Sequence, residues 1–200
     1  NEALFVKSNG AVGQVEPVFC NIRDDQLVRD ALQGADAVVN CVATFDVGGK
    51  NSFDAVQLKG AERIARIAAE LNLEKMVHLS GLGADEEGQS AYAQTKAAGE
   101  AAILAHMPDA MILRPSVIFG TEDQFFNRFA GMSKFGPILP IAGAGSRFQP
   151  VYVDDVAKAA VCGILGQAPG GIYELGGPDV ASLGDLMHRM LAVIQRRRLV

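Results

Sequence analysis

The chain has 200 residues, is 49% apolar and 20% charged, and carries a net charge of −5, the profile of a folded domain and not of a disordered segment. Phosphate affinity needs clustered Lys and Arg, and the only basic run, Arg196, Arg197 and Arg198, reads as a solvated helix terminus, which argues against a general nucleic-acid binder. No charged-then-apolar leader opens the sequence and no apolar run approaches the roughly 20 residues that span a bilayer, so the expectation is a soluble segment that meets a membrane only through a partner.

In chain order, Val15–Cys20 is strand-like, and Asp24–Gln33 spaces Leu27, Val28, Ala31 and Leu32 as a helix that Gly34 closes. Asp36–Ala43 reads as a buried strand, and a long helix is expected from Ser52 through Leu71. Lys75–Ser80 is the next strand, Ser90 caps the following helix, and Ala110–Gly120 is a strand stopped by Pro115. A helix follows over Glu122–Gly136, then a Gly and Pro rich loop over 136–145, a short strand at Gln149–Val153, a helix over Asp154–Leu165, a strand at Gly171–Leu175 and a helix from Ser182. Strand alternating with helix predicts an α/β fold with a parallel sheet covered on both faces. The three cysteines, Cys20, Cys41 and Cys162, are far apart among apolar neighbours and read as buried thiols in a reducing compartment.

A doubly wound dinucleotide-binding sheet begins with a strand and a Gly-rich turn that holds the pyrophosphate. No such turn occurs here; Gly10 and Gly13, Gly81 and Gly83, Gly143 and Gly145, and Gly176 and Gly177 have other spacings. The expectation is therefore a piece of a longer protein, lacking its first βαβ unit and a C-terminal tail.

The chemistry concentrates in "SAYAQTKAAGE", Ser90 to Glu100. Four residues apart on a helix, Tyr92 and Lys96 share a face one turn apart. A phenol is a poor proton donor or acceptor at neutral pH, and a neighbouring ammonium draws its pKa down. Ser80 ends a parallel strand, where open α/β sheets place ligands, and could orient a carbonyl. A Tyr-x-x-x-Lys pair arises by chance in roughly one chain of this length in three, so its position after that strand is what favours a cofactor site over a surface helix.

The stretches "VVNCVA", "VHLSGLGAD", "SAYAQTKAAGE", "ILRPSVIFG" and "FQPVYVDDVAKA" follow the order found in extended and atypical short-chain dehydrogenases/reductases of the epimerase/dehydratase-like branch. The chain resembles that family over almost its whole length. "AGEAAILAHMPDAMILRPSVIFGTEDQFFNRFAGM" is similar to the complex I accessory-subunit group, the NADH dehydrogenase alpha-subcomplex subunit nine family and its bacterial relatives. The resemblance implies a Rossmann-like doubly wound sheet over residues 1–115, with a small substrate-side region over 116–200 interleaved with it. It implies that Tyr92 is the acid/base, that Lys96 holds the nicotinamide ribose hydroxyls, and that Leu79 and Ser80 sit beside the nicotinamide. Pro115, Ser116 and Val117 would pass the ring, Cys41, Val42 and Ala43 would border the adenosine half, and Asn21 and Ile22 would lie at the adenine, where the family has Asp in place of Asn21. The implied cofactor is NAD(P), with NADPH typical of the group.

Only eleven residues separate Ser80 from Tyr92, where sugar-nucleotide epimerases have a longer substrate-binding loop, which argues against a sugar-nucleotide substrate. Two functions follow. One is an accessory or assembly protein of a respiratory or quinone-related complex, with a structural nucleotide, on the mitochondrial matrix side or in a bacterial cytoplasm, peripheral to the inner membrane. The other is an active NAD(P)-dependent oxidoreductase or epimerase using Ser80, Tyr92 and Lys96.

Other features have plainer readings. His78, His106 and His188 lack shared carboxylate or Cys spacing, so no metal site is expected. Asp154 and Asp155 open a helix, as caps or partners of its dipole. Phe125, Phe126 and Phe129 read as core or a subunit contact. Met107 and Met111 flank the Pro108 turn, and Asp85, Glu86 and Glu87 form a solvated loop.

Overall fold

In a computed structural model that describes residues 4–200, strands and helices alternate over most of the chain. A 3₁₀ turn over Leu4–Asn9 comes first. Residues 15–20 form no strand: Val18 and Phe19 are exposed, and among the described residues no neighbour pairs with them. An extended run becomes a strand only when its N–H and C=O groups find a partner chain. Helix α1 (Asp25–Leu32) is capped by Asp24, which accepts the Gln26 and Leu27 N–H groups, and Gly34 leaves it at φ +76°.

Strand β1 (Ala37–Asn40) is followed by a helix that does not begin as expected. Its opening turn, Asp54–Leu58, is π-helical, and regular winding starts only at α2 (Lys59–Glu70). Strand β2 (Lys75–Leu79) leads to α3 (Ala91–His106), whose cap Ser90 accepts the Ala93 N–H at 3.1 Å. The apolar run after it divides into β3 (Met111–Pro115) and β4 (Ile118–Phe119). At the break the Ser116 N–H donates to the Leu175 carbonyl at 2.8 Å.

Helix α4 (Phe126–Met132) is shorter than the sequence suggests because Asp123, not an earlier residue, accepts the Phe125 and Phe126 N–H groups that open it. Then come β5 (Arg147–Phe148), β6 (Val151–Tyr152), α5 (Val153–Ile164), β7 (Gly171–Leu175), β8 (Ala181–Ser182) and α6 (Leu183–Val193). Asp154 and Asp155 occupy the first turn of α5 without capping it, so their contribution is to the helix dipole.

The main sheet is parallel, in the order β1-β2-β3-β7. Strand side chains alternate between faces. Met76 and Ile112 meet α1, α2 and α3 in one buried cluster, and Val77, Met111 and Leu113 meet α5 in another. The layers are helix, sheet, helix, the Rossmann-like arrangement that alternation predicts. A further cluster is built on Leu139, Met187 and Leu191, and Phe125, Phe126 and Phe129 pack against it as the sequence suggests. The cysteines correct an expectation: all three are free, but Cys20 and Cys41 are exposed and Cys162 is half-buried. Cys20 lies on the unpaired stretch and Cys41 just past the end of β1.

Candidate functional site

The carboxyl ends of β2 and β3 and the first turns of α3 bring Ser80, Tyr92, Pro115, Ser116 and Val117 onto one cavity of about 1010 Å³. Leu79 and Lys96 lie behind its wall. Lys96 is 2% exposed, its Nζ donates to the Leu79 carbonyl at 3.2 Å, and it stands 5.9 Å from the Tyr92 ring centroid. An ammonium has three N–H donors; Leu79 takes one, and no other acceptor for them stands among the described residues. Those spare donors suit a ligand rich in hydroxyls, as the ribose end of a nicotinamide dinucleotide is, so the residues present fit that end of the group.

Tyr92 departs from the expected chemistry. Its ring is stacked on Phe45 at 6.1 Å and met edge-on by Phe53 at 5.9 Å. Burial pushes its pKa above the ordinary phenol value, opposite to the activation the Lys96 spacing suggests. The lysine is itself desolvated, which pulls its pKa down, and Glu100 only partly restores it. Desolvation penalises the charged form of each group and is the largest cause of both shifts.

Ser80 also has a partner that spacing toward Tyr92 did not suggest. Its Oγ is hydrogen-bonded to Glu100 Oε1. Glu100, 2% exposed, is held in turn by Arg114 through Nε at 3.0 Å and Nη2 at 2.6 Å. The neighbour of the Tyr92 hydroxyl is Gly81, where a Cβ would stand 2.8 Å from Oη. Glu100 was legible in principle: Tyr92, Lys96 and Glu100 follow one another at intervals of four on one helical face.

Behind Lys96 lies a buried polar pair. Asn40 Oδ1 accepts the Val42 N–H at 3.0 Å, so its amide nitrogen faces His78 Nδ1, also at 3.0 Å. His78 is 1% exposed, and burial together with the Lys96 charge lowers its pKa to about 3. With Nδ1 accepting, the ring proton sits on Nε2, which has no partner among the described residues.

The adenosine-side candidates are not part of this cavity. Cys41, Val42 and Ala43 lie exposed beyond β1. Asn21 Oδ1 accepts from the Arg23 backbone N–H at 3.2 Å and from its Nε at 3.1 Å, and Ile22 packs against the α1–α2 core. On the lining of the same cavity, the sequence reading missed Arg128 and Arg147, which carry no carboxylate partner among the described residues. His106 contacts Glu62 at 3.2 Å and His188 contacts the Gly184 carbonyl at 2.8 Å, both structural roles. Among the described residues no group of three or more metal-ligating side chains is assembled, and no helix is long and apolar enough to cross a membrane.

Comparison with known proteins gives the same lineage. The model of the NAD dependent epimerase/dehydratase family matches residues 5–176. The chain is 35% identical over 194 residues to the mitochondrial NADH dehydrogenase (ubiquinone) 1 alpha subcomplex subunit 9 of Arabidopsis thaliana, covering 95% of this chain and 48% of that protein. It is 32% identical over 190 residues to the protein of the same name from Dictyostelium discoideum, covering 93% and 52%. The chain thus spans about half the length of the curated relatives it matches. Among solved structures, a dTDP-glucose 4,6-dehydratase double mutant (DesIV) from Streptomyces venezuelae, with NAD and DAU bound, superposes with a TM-score of 0.84 at 21% identity, covering 100% of this chain and 71% of that one. At that identity the likeness is one of fold.

Proposed function

The chain belongs to the NAD dependent epimerase/dehydratase family, and from that premise we propose that it is the nucleotide-holding part of an accessory or assembly protein of a respiratory, complex I-like or quinone-related membrane complex. The observation that carries this reading is the state of the Tyr92–Lys96 pair. A buried lysine with spare donors suits a tight grip on ribose hydroxyls, while a phenol whose pKa is raised by burial is poorly suited to proton transfer near neutrality. The complex I names of the relatives support the partner. The nucleotide is NADP(H), on the family resemblance, and the protein works on the matrix side of the mitochondrial inner membrane or its bacterial counterpart, as a peripheral component.

Purification of the natural protein at its full length, release of its nucleotide and mass spectrometry of what co-purifies tests this directly. About one NADP(H) per chain together with subunits of a respiratory complex is expected. A protein free of nucleotide and of membrane-complex partners overturns the proposal.

A second reading, an active NAD(P)-dependent oxidoreductase or epimerase, is favoured by one observation. Tyr92 shares its cavity with Arg128 and Arg147, two guanidinium groups suited to an anionic substrate. Turnover of an anionic carbonyl compound, abolished by Arg147→Ala, would establish it.

A further inference from the structure

Ser80 is 7% exposed and lines the cavity, and its Oγ is bonded to the carboxyl group of Glu100. Arg114 grips both oxygens of that carboxyl, with Nε 3.0 Å from Oε1 and Nη2 2.6 Å from Oε2. Two donors from a permanently charged guanidinium, one to each oxygen, favour an acceptor-only carboxyl group. A carboxylate only accepts. The single proton of the Ser80 hydroxyl is therefore committed to Glu100, and what its Oγ has left to offer a ligand is lone pairs. The next residue adds no side-chain donor: Gly81 has no side chain, and the space where one would begin is closed by the Tyr92 hydroxyl at 2.8 Å.

We infer that Ser80 is an acceptor for an N–H group of the bound ligand, the primary carboxamide of a nicotinamide, and that Glu100, clamped by Arg114, is the positioning residue that fixes this polarity. The inference rests on the nucleotide reading above. It assigns Ser80 the opposite role to a hydroxyl that donates to a substrate carbonyl. A group entering at Ser80 with only a carbonyl oxygen meets an acceptor with no proton to offer.

The test compares dissociation constants of the natural full-length protein, stripped of nucleotide, for NAD+ and NADP+ and for the 3-acetylpyridine analogue of each, in which a methyl ketone replaces the carboxamide. Wild type should bind the carboxamide form on the order of tenfold more tightly, the consequence of leaving a buried acceptor unpaired. In Ser80→Ala the two forms should bind within about twofold of each other, since one hydrogen bond accounts for the difference. Ser80→Cys, nearly isosteric and a weaker acceptor, should fall between and covers the case in which the alanine variant fails to fold. In Glu100→Gln the ratio should narrow, because the amide NH₂ can donate to Ser80 and release its proton toward the cavity; a merely structural Glu100 would leave the ratio unchanged. A wild-type ratio near one, or a preference that persists in Ser80→Ala, overturns the inference while leaving the nucleotide reading intact. Failure to bind any of the four dinucleotides overturns both.

Discussion

Glu100 and Arg114 form a two-pronged ion pair between α3 and β3, with the Glu100 side chain 3% exposed and that of Arg114 20% exposed. Removing one partner strands the other, at a cost of about 3–5 kcal/mol for a buried pair. Glu100→Ala and Arg114→Ala should each lower the urea midpoint strongly. The double variant should be less destabilised than the sum of the singles; simple additivity would show that the two charges are not coupled.

His78 makes acid stability measurable in a narrow window. Its ordinary pKa is near 6.5 and its folded value is about 3, so the unfolded state takes up the proton first as pH falls. Its stabilising contribution is complete above pH 6.5, declines below that and is lost as pH falls through about 3. Asp25, Glu70 and Asp185, whose pKa values are lowered by hydrogen bonds from Arg63, Arg29 and Ser182 respectively, act in the same direction but only below the ordinary carboxylate range. Between about pH 6.5 and 4.5 the slope of unfolding free energy should therefore report His78. His78→Gln should flatten it, and an unchanged slope would remove His78 from the account.

Tyr92 and Lys96 should separate under mutation. Lys96→Met removes the ribose donors and should cut nucleotide retention on the order of tenfold or more, as loss of hydrogen bonds from a charged group does. Tyr92→Phe should leave retention within about threefold and assembly of the host complex unchanged. If the site is instead catalytic, Tyr92→Phe costs on the order of a hundredfold or more in rate. Retention assays and any turnover assay on the same two variants decide between these outcomes.

Gly99 lies where α3 crosses the π-helical turn before α2. A Cβ there would stand 2.2 Å from the Gln57 carbonyl oxygen. Alanine is favoured over glycine in a helix by about 1 kcal/mol, but a backbone oxygen cannot step aside, and overpacking of this kind costs about 3 kcal/mol. The clash wins, so Gly99→Ala should be destabilising in equilibrium denaturation. A stabilised variant would mean that the two segments separate easily.

The sheet was readable from the sequence because buried parallel strands and amphipathic helices leave periods in the chain itself. Val77 and Ile112 announce themselves by their neighbours. The capping residue Ser90 was readable for the same local reason. What was not readable depended on partners distant in sequence. The strand-like run Val15–Cys20 has the pattern of a strand and, among the described residues, no partner along it. The π-helical turn at Asp54–Leu58 answers to the helix it must fit beneath. In the site, spacing found Tyr92 and Lys96 but gave the wrong direction for the tyrosine, because Phe45 and Phe53 surround it from remote stretches. Ser80 was identified and its partner was not, since Arg114 holds Glu100 from another strand.

Strand β1 pairs with β2 on one side only, and among the described residues no strand pairs with its other edge. Its backbone groups there offer a template to any extended chain that comes near. Expressed by themselves, these 200 residues should stick to one another through Ala37–Asn40 and form dimers or larger aggregates at high concentration. A lysine at Val38 or Val39 would disturb the core and is no remedy. Supplying an additional strand as a synthetic peptide, and watching the aggregates disperse, would turn that open edge into a handle for handling the protein in the laboratory.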